Sequence, residues 1–311
     1  MWCATMPLAW QKFEADVAKG PVDLQGIEKV CRDLRNAPDP GLDPSNYYTA
    51  AGLYKDGILE RIRSELPAKF PEAPLPDERF SRAVGALAYA YLRVEMPFEH
   101  TFEDCPDPFT FHHRDGKDTS VRAFGIPAPK SSTESANIRE QVKLLFRQRS
   151  EFAVDLSKNT KPYQTILARI DRQETLRDTL KELDARISQA DKKLLPTNLP
   201  DTAILLIPTM NWRVKHDFPE FRSRGFSTRA VPDAFVDQAE QSIEFKISRK
   251  GVIIKSRAYD PALIANGHEP GPNEFKFERP YLIVLKRRDG KEPFFVMWVE
   301  NAELMQLHKG R

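Results

Sequence analysis

The chain has 311 residues, enough for one large domain or two ordinary ones, with 41% hydrophobic and 30% charged side chains. That is the composition of a folded chain in water, and no uninterrupted apolar run is long enough to span a bilayer. A formal net charge of +2, from 47 Lys+Arg against 45 Asp+Glu, gives no electrostatic case for a dedicated nucleic-acid surface. Three cysteines, Cys3, Cys31 and Cys105, cannot all pair within one chain and match no zinc spacing, so they are expected as reduced, mostly buried thiols. The start MWCATMPLAW has no basic first segment and meets Lys12, Glu14 and Asp16 at once, which is not a secretory pattern. As written the chain is expected to be cytoplasmic; a true start upstream of Met1 would allow an extracytoplasmic location.

Helical spacing comes first. Trp10, Phe13 and Val17 predict a helix ended by Gly20-Pro21. Leu24, Ile27, Cys31 and Leu34 predict a second, closed by the Pro38–Pro44 stretch, and Ile58, Ile62 and Leu66 a third, ending at Pro67. Pro67, Pro71, Pro74 and Pro76 make a stiff connector. Within Ala83–Val94, Ala86, Ala88 and Ala90 alternate with Leu87, Tyr89 and Tyr91, which predicts a strand with one thin and one bulky face. A helix is expected at Glu174–Ala190, with Leu176, Leu180, Leu183 and Ile187 on one core-facing stripe. Strands are expected at Ala203–Ile207, Trp212–Val214 and Ser242–Ser248.

Near the end, Tyr281–Leu285 and Phe294–Trp298 are continuous apolar runs joined by a charged turn containing Asp289-Gly290, a hairpin pattern. Neither run alternates, so both faces should be buried between two layers. Each of Phe294, Phe295 and Trp298 would then contribute roughly 2–3 kcal/mol. Helices first and strands later make an α+β architecture of mixed sheets.

The segment from Phe275 through Pro280 and Tyr281 to Asn301 resembles the C-terminal signature of the serpins, with Met297-Trp298 where that family carries Gly-Arg. Ala234–Gly251 resembles the family segment entering the reactive-loop hinge. Ala86–Val121, with Pro97-Phe98, Phe111-His112 and Asp115-Gly116, resembles its central-sheet strand and the segment after it. Leu205–Met210 sits where serpins carry a strand ending in Leu-Pro-Lys. The similarity runs in order over about 82–301. Residues 1–80 are mostly helical, with one strand at Tyr47–Gly52, and are shorter than the family's N-terminal part. Two explanations stay open: a reduced relative, or a chain that starts inside the fold.

The resemblance implies a single serpin-like domain over 1–311, no enzymatic activity and no cofactor. It also implies a loop whose hinge enters the central sheet when a protease cuts it. The hinge residues would be Gly251, Val252, Ile254, Ser256 and Ala258, and the candidate reactive-loop region Leu263, Ile264, Ala265 and Asn266. Family hinges use small side chains because a bulky one must find room between packed strands. Here Ile253-Ile254 replace small residues and basic Arg249-Lys250 stand where the family usually has an acidic one, which suits a strand resident in the sheet better than a fast, triggered insertion. The expected function is therefore protein binding without inhibition, by a monomer, with a protease or another protein as partner and neither nucleic acid nor membrane. The alternative is an active suicide-substrate inhibitor of a serine or cysteine protease.

Two further patterns bear on function. Glu99, His100, Glu103, Asp104, Cys105, His112, His113 and Asp115 crowd one stretch and raise a metal-dependent hydrolase as a reading from another class. No HxxxH or CxxC spacing supports it, and adjacent histidines on a strand point apart, so no metal ligand is assigned. Lys286-Arg287-Arg288 with Lys291 reads as a solvated hairpin tip rather than a polyanion site.

Overall fold

A computed structural model describes residues 1–76, 85–129, 133–191, 195–196, 198–254 and 273–308. The chain enters through a short strand, β1 (Trp2–Cys3), and helix α1 (Thr5–Phe13), which runs on as a π turn over Glu14–Ala18. Trp10 and Phe13 are buried and meet Phe221 and Phe226 ring to ring. Helix α2 (Glu28–Arg35) is tied to α1 by polar contacts as well as by Cys31. The Gln11 amide donates to the carbonyls of Leu34, Arg35 and Ala37, at the end of the helix where the backbone acceptors run short of donors. Arg35 meanwhile grips Glu14 at 2.8–3.0 Å.

Strand β2 (Tyr47–Leu53) precedes α3 (Ile58–Lys69). The third helix was expected to stop at Pro67 but continues two residues beyond it. Phe70 explains the extension: its N–H closes the last turn on Leu66 at 2.7 Å, and its ring packs on Tyr91 at 5.1 Å. Strand β3 (Gly85–Leu92) has the two faces read from its alternation. Ala86, Ala88 and Ala90 lie against α1, where the thin face lets the helix come close. Leu87, Tyr89 and Tyr91 fill the opposite side under α3.

The middle of the chain supplies β4 (Val94–Pro97), β5 (Glu103–Asp104), β6 (Phe109–His112), β7 (Asp118–Val121) and β8 (Ala123–Ile126). Next come α4 (Thr133–Glu140), β9 (Lys143–Gln148), β10 (Glu151–Asp155), β11 (Tyr163–Arg169) and α5 (Leu176–Gln189). The N-cap of α5 is Thr175, whose hydroxyl accepts from the Asp178 N–H at 3.1 Å, which explains why the helix begins there. The remainder is strand: β12 (Ile204–Pro208), β13 (Met210–Asp217), β14 (Arg224–Phe226), β15 (Ala234–Ser248), β16 (Gly251–Ile254), β17 (Glu274–Lys276), β18 (Tyr281–Arg287) and β19 (Pro293–Val299).

Among the described residues these strands make four sheets. One is antiparallel in the order β1-β19-β18-β11-β10-β9, and a second runs β17-β12-β8-β5. The third has the order β2-β3-β15-β16-β4, with β13 and β14 also on β15, and β6-β7 is a separate hairpin. The β18–β19 hairpin is buried on both faces, as its unalternating sequence predicts. Ile283, Leu285, Phe295 and Met297 face the main core, while Leu282, Val284 and Val296 face the layer under α5. There Leu183 is buried, with Leu176, Leu180 and Ile187 partly so. Trp298 departs from expectation: it lies on the α5 side and is only half-buried. A stack joins the layers, with the Phe245 ring lying 5.2 Å from Phe295 and 5.5 Å from Trp212.

Strand β15 is much longer than the Ser242–Ser248 segment recognised from alternation. Its first half contains a bulge where the register against β3 shifts between Val236 and Gln238. Val236 and Ala239 therefore share one face despite their odd spacing, and the period-2 pattern is lost there. Among the described residues no helix is long and apolar enough to cross a membrane.

Candidate functional site

The β15 sheet is forked. Over its lower part β3 and β15 run parallel and pair directly, from Gly85 against Phe235 to Ala90 against Gln241. Beyond that point they separate: β3 ends at Leu92, and Arg93 extends its pairing with the β2 side by donating its N–H to the Asn46 carbonyl at 2.7 Å. The chain resumes as β4, and the gap between β4 and β15 is filled by β16. On one side Ile254, Val252 and Gly251 pair with Phe245, Ile247 and Ser248. On the other they pair with Val94, Met96 and Pro97.

The residues explain the insertion. Arg249 and Lys250 form the turn from β15, and Gly251 comes next with φ of +148°. A Cβ there would stand 2.6 Å from the Met96 carbonyl oxygen and 2.8 Å from the Pro97 Cα, so this strand can approach β4 only with glycine. Alternation then sends Val252 and Ile254 into the main core, both with no exposed surface, and leaves Ile253 half-buried on the opposite face. The turn is held from outside as well. Its Lys250 and Arg249 carbonyls accept from the N–H groups of Phe98 (3.1 Å) and Phe102 (2.9 Å). Arg249 also reaches Asp104 on β5 at 3.2 Å. Gly251→Ala is expected to lower stability by about 1–3 kcal/mol and to speed amide exchange in β16 before other strands. An unchanged urea midpoint with unchanged exchange would contradict so close an approach of β16 to β4.

Of the sequence-derived hinge, Gly251, Val252 and Ile254 fall together in β16. Ser256 and Ala258, and the loop candidates Leu263, Ile264, Ala265 and Asn266, lie outside the described residues. The pairing of β16 with β4 was not anticipated, nor was the clamp at Phe98–Phe102, although Pro97-Phe98 stood out in the sequence.

The acidic and histidine-rich stretch disperses into separate contacts. His112 Nδ1 meets Asp118 at 2.6 Å and His113 Nε2 meets the Thr119 hydroxyl at 2.8 Å. Asp115 pairs with Lys117, Glu99 accepts from Asn159, and Asp104 holds Arg249. Among the described residues no three His, Cys, Asp or Glu side chains converge in a way that could hold a metal. All three cysteines are free, and burial pushes each thiol above its usual range, which works against a nucleophilic thiolate. At the basic hairpin tip, Arg287 pairs with Asp289, while Arg288 reaches inward to the fully buried Asp155 at 2.7 Å. That second guanidinium is committed to the interior.

No protein-family model matches the chain, and no curated protein does. Its fold is nevertheless similar to solved structures. One is Serpin48 from the insect Tenebrio molitor, described as a highly specific serpin, with a TM-score of 0.50 at 11% identity over 96% of this chain and 89% of that one. Another is native protease nexin-1, solved with heparin, with a TM-score of 0.51 at 10% identity over 95% of this chain and 89% of that one. The fold is thus serpin-like, α+β with mixed sheets and several helices. The forked sheet holds Gly251, Val252 and Ile254, the described part of the candidate hinge.

Proposed function

We propose that residues 1–311 form one serpin-like protein-binding domain that does not trap proteases. One observation carries this reading: the first part of the candidate hinge, Gly251–Ile254, is already a sheet strand with neighbours on both sides. Val252 and Ile254 are fully buried in the core. A spring-type inhibitor needs its hinge poised to enter after cleavage, and here the entrance is occupied by bulky, β-branched side chains. Removing them would expose apolar surface and leave the facing backbone groups of β4 and β15 without partners. In this reading no residue has a catalytic role, and the chain engages a protease or another protein as a monomer through the segment after β16.

A second reading, that of a suicide inhibitor, is favoured by the lower half of the fork. There β3 and β15 still pair directly in parallel, so the sheet retains a seam into which more strand could enter. The two readings separate on a denaturing gel. The protein would be incubated with a panel of serine and cysteine proteases at several ratios. Cleavage without an SDS-resistant band is the expected outcome. A single band at the summed mass of protein and protease would sink the binding-protein reading and promote the inhibitor. The hydrolase reading gains no support from the dispersed contacts of Glu99–Asp115.

A further inference from the structure

The turn that feeds β16 is braced by the chain segment just beyond β4. Phe98 and Phe102 donate their N–H groups to the Lys250 and Arg249 carbonyls, and their rings meet edge to face at 4.9 Å in the core. Both ends of this short segment are thereby anchored, while its middle residue, His100, stands at the surface edge. The peptide there is held by one side chain from a distant part of the sequence. Gln141, fully buried just after α4, accepts from the His100 N–H at 2.9 Å and donates to the His100 carbonyl at 2.7 Å. Its amide satisfies both backbone groups of one residue, as a neighbouring strand would.

Gln141 is itself fixed. Its N–H donates to the Asn137 carbonyl in α4, and its carbonyl accepts from the Lys158 N–H beyond β10. A second link lies alongside, where the Asn159 amide donates to Glu99 at 2.8 Å. A continuous path of hydrogen bonds therefore runs from the α4–β9 junction, through Gln141 and the 98–102 segment, to the carbonyls of the β15–β16 turn. Glutamine is suited to this position because a buried amide can donate and accept at once, whereas a carboxylate of the same size offers only acceptors.

We propose that Gln141 is a positioning residue that latches the β15–β16 turn and thereby keeps β16 in the sheet. The latch acts through the bonds of the Gln141 side chain to the His100 peptide groups. Without it the 98–102 segment keeps its two aromatic anchors but loses the bonds that hold its centre, and the turn carbonyls lose properly placed donors. Because Gly251–Ile254 is only four residues long, its retention is sensitive to one or two hydrogen bonds at its entrance. The inference rests on β16 and stands whether or not the protein binds a protease.

The test is hydrogen exchange followed peptide by peptide in the full chain, comparing β16 with β18. Gln141→Glu keeps the side-chain volume and, with exchange measured at a pH where the buried carboxyl is ionised, removes the donation to His100. Gln141→Leu removes both bonds. In each variant the amides of 252–254 are expected to exchange about tenfold faster, while those of β18, which report global opening, change much less. Equal acceleration of β16 and β18 would show that Gln141 is merely a core residue, and faster exchange confined to 98–102 would show that it holds its own loop only. Either result overturns the latch. Should Gln141→Leu fold poorly, Gln141→Glu alone decides, since the same three patterns distinguish the outcomes. A protease complex in the gel assay would overturn the binding-protein reading and leave this one intact.

Discussion

Phe295→Ala is expected to lower stability by about 3–5 kcal/mol, the range for truncating a large aromatic in a packed core. The side chain is fully buried in β19, opposite Leu285 on one neighbouring strand and Cys3 on the other. Its ring lies nearly parallel to Phe245, at 12°, so it joins the β18–β19 sheet to the forked sheet. Removing it opens a gap between two layers that cannot collapse without moving whole strands. Trp298→Ala is expected to cost less, about 1–3 kcal/mol, because that ring is half-buried under α5 and covers less surface. Urea midpoints with equal slopes would measure both. If the Phe295 variant melted like the parent, the hairpin would not be the seam between the layers.

Glu278→Ala is expected to cost about 3–5 kcal/mol, because it strands a buried guanidinium. Arg169 and Glu278 face each other at 3.4 Å, and each side chain is only 9% exposed. Burial pushes the Glu278 carboxyl above its usual range and Arg169 below its own, so the surroundings oppose both charges even though each favours the other. Replacing both together, Arg169→Met with Glu278→Leu, should recover most of the loss, since the pair is not itself a large source of stability. The pH dependence has a definite sign. With a folded pKa above the ordinary 4.5, Glu278 contributes most when protonated, and that contribution is lost as pH rises from the unfolded value through the folded one. The stability of the parent relative to Glu278→Gln should therefore increase as pH falls through that window. A difference that shrinks on acidification would mean Arg169 governs the carboxyl instead of burial.

The elements legible in the sequence are those whose side chains differ in size or polarity on two faces. Ala86–Tyr91 showed its thin and bulky sides because each face meets a different helix, α1 or α3. The β18–β19 hairpin was legible for the opposite reason: neither face meets water, so its apolar runs are unbroken. The first half of β15 was hidden by its bulge, which breaks the period that marks a strand. Helix α3 overran Pro67 because tertiary packing of Phe70 outweighed a local stop signal. At the candidate site, Gly251 and the buriable face of Val252 and Ile254 could be read from alternation. Their partners could not, since β4 lies far away in sequence and four residues carry little pattern. Gln141 left no signal at all: its partner is a peptide group, and any residue at position 100 other than proline offers one.

The forked sheet also sets a schedule for its own construction. β3 pairs with β2 close by, but its other edge waits for β15, roughly 150 residues later in the chain. At a synthesis rate of about 5–20 residues per second, that edge stands open for roughly 8–30 s on a nascent chain, a long interval for a strand whose every residue is buried in the finished fold. Tyr89 and Tyr91 can be sheltered early by α3, which has already emerged, and the alanine face by α1. The exposed backbone of β3 has no such cover, and strand-to-strand association between unfinished chains is the hazard this order of assembly creates.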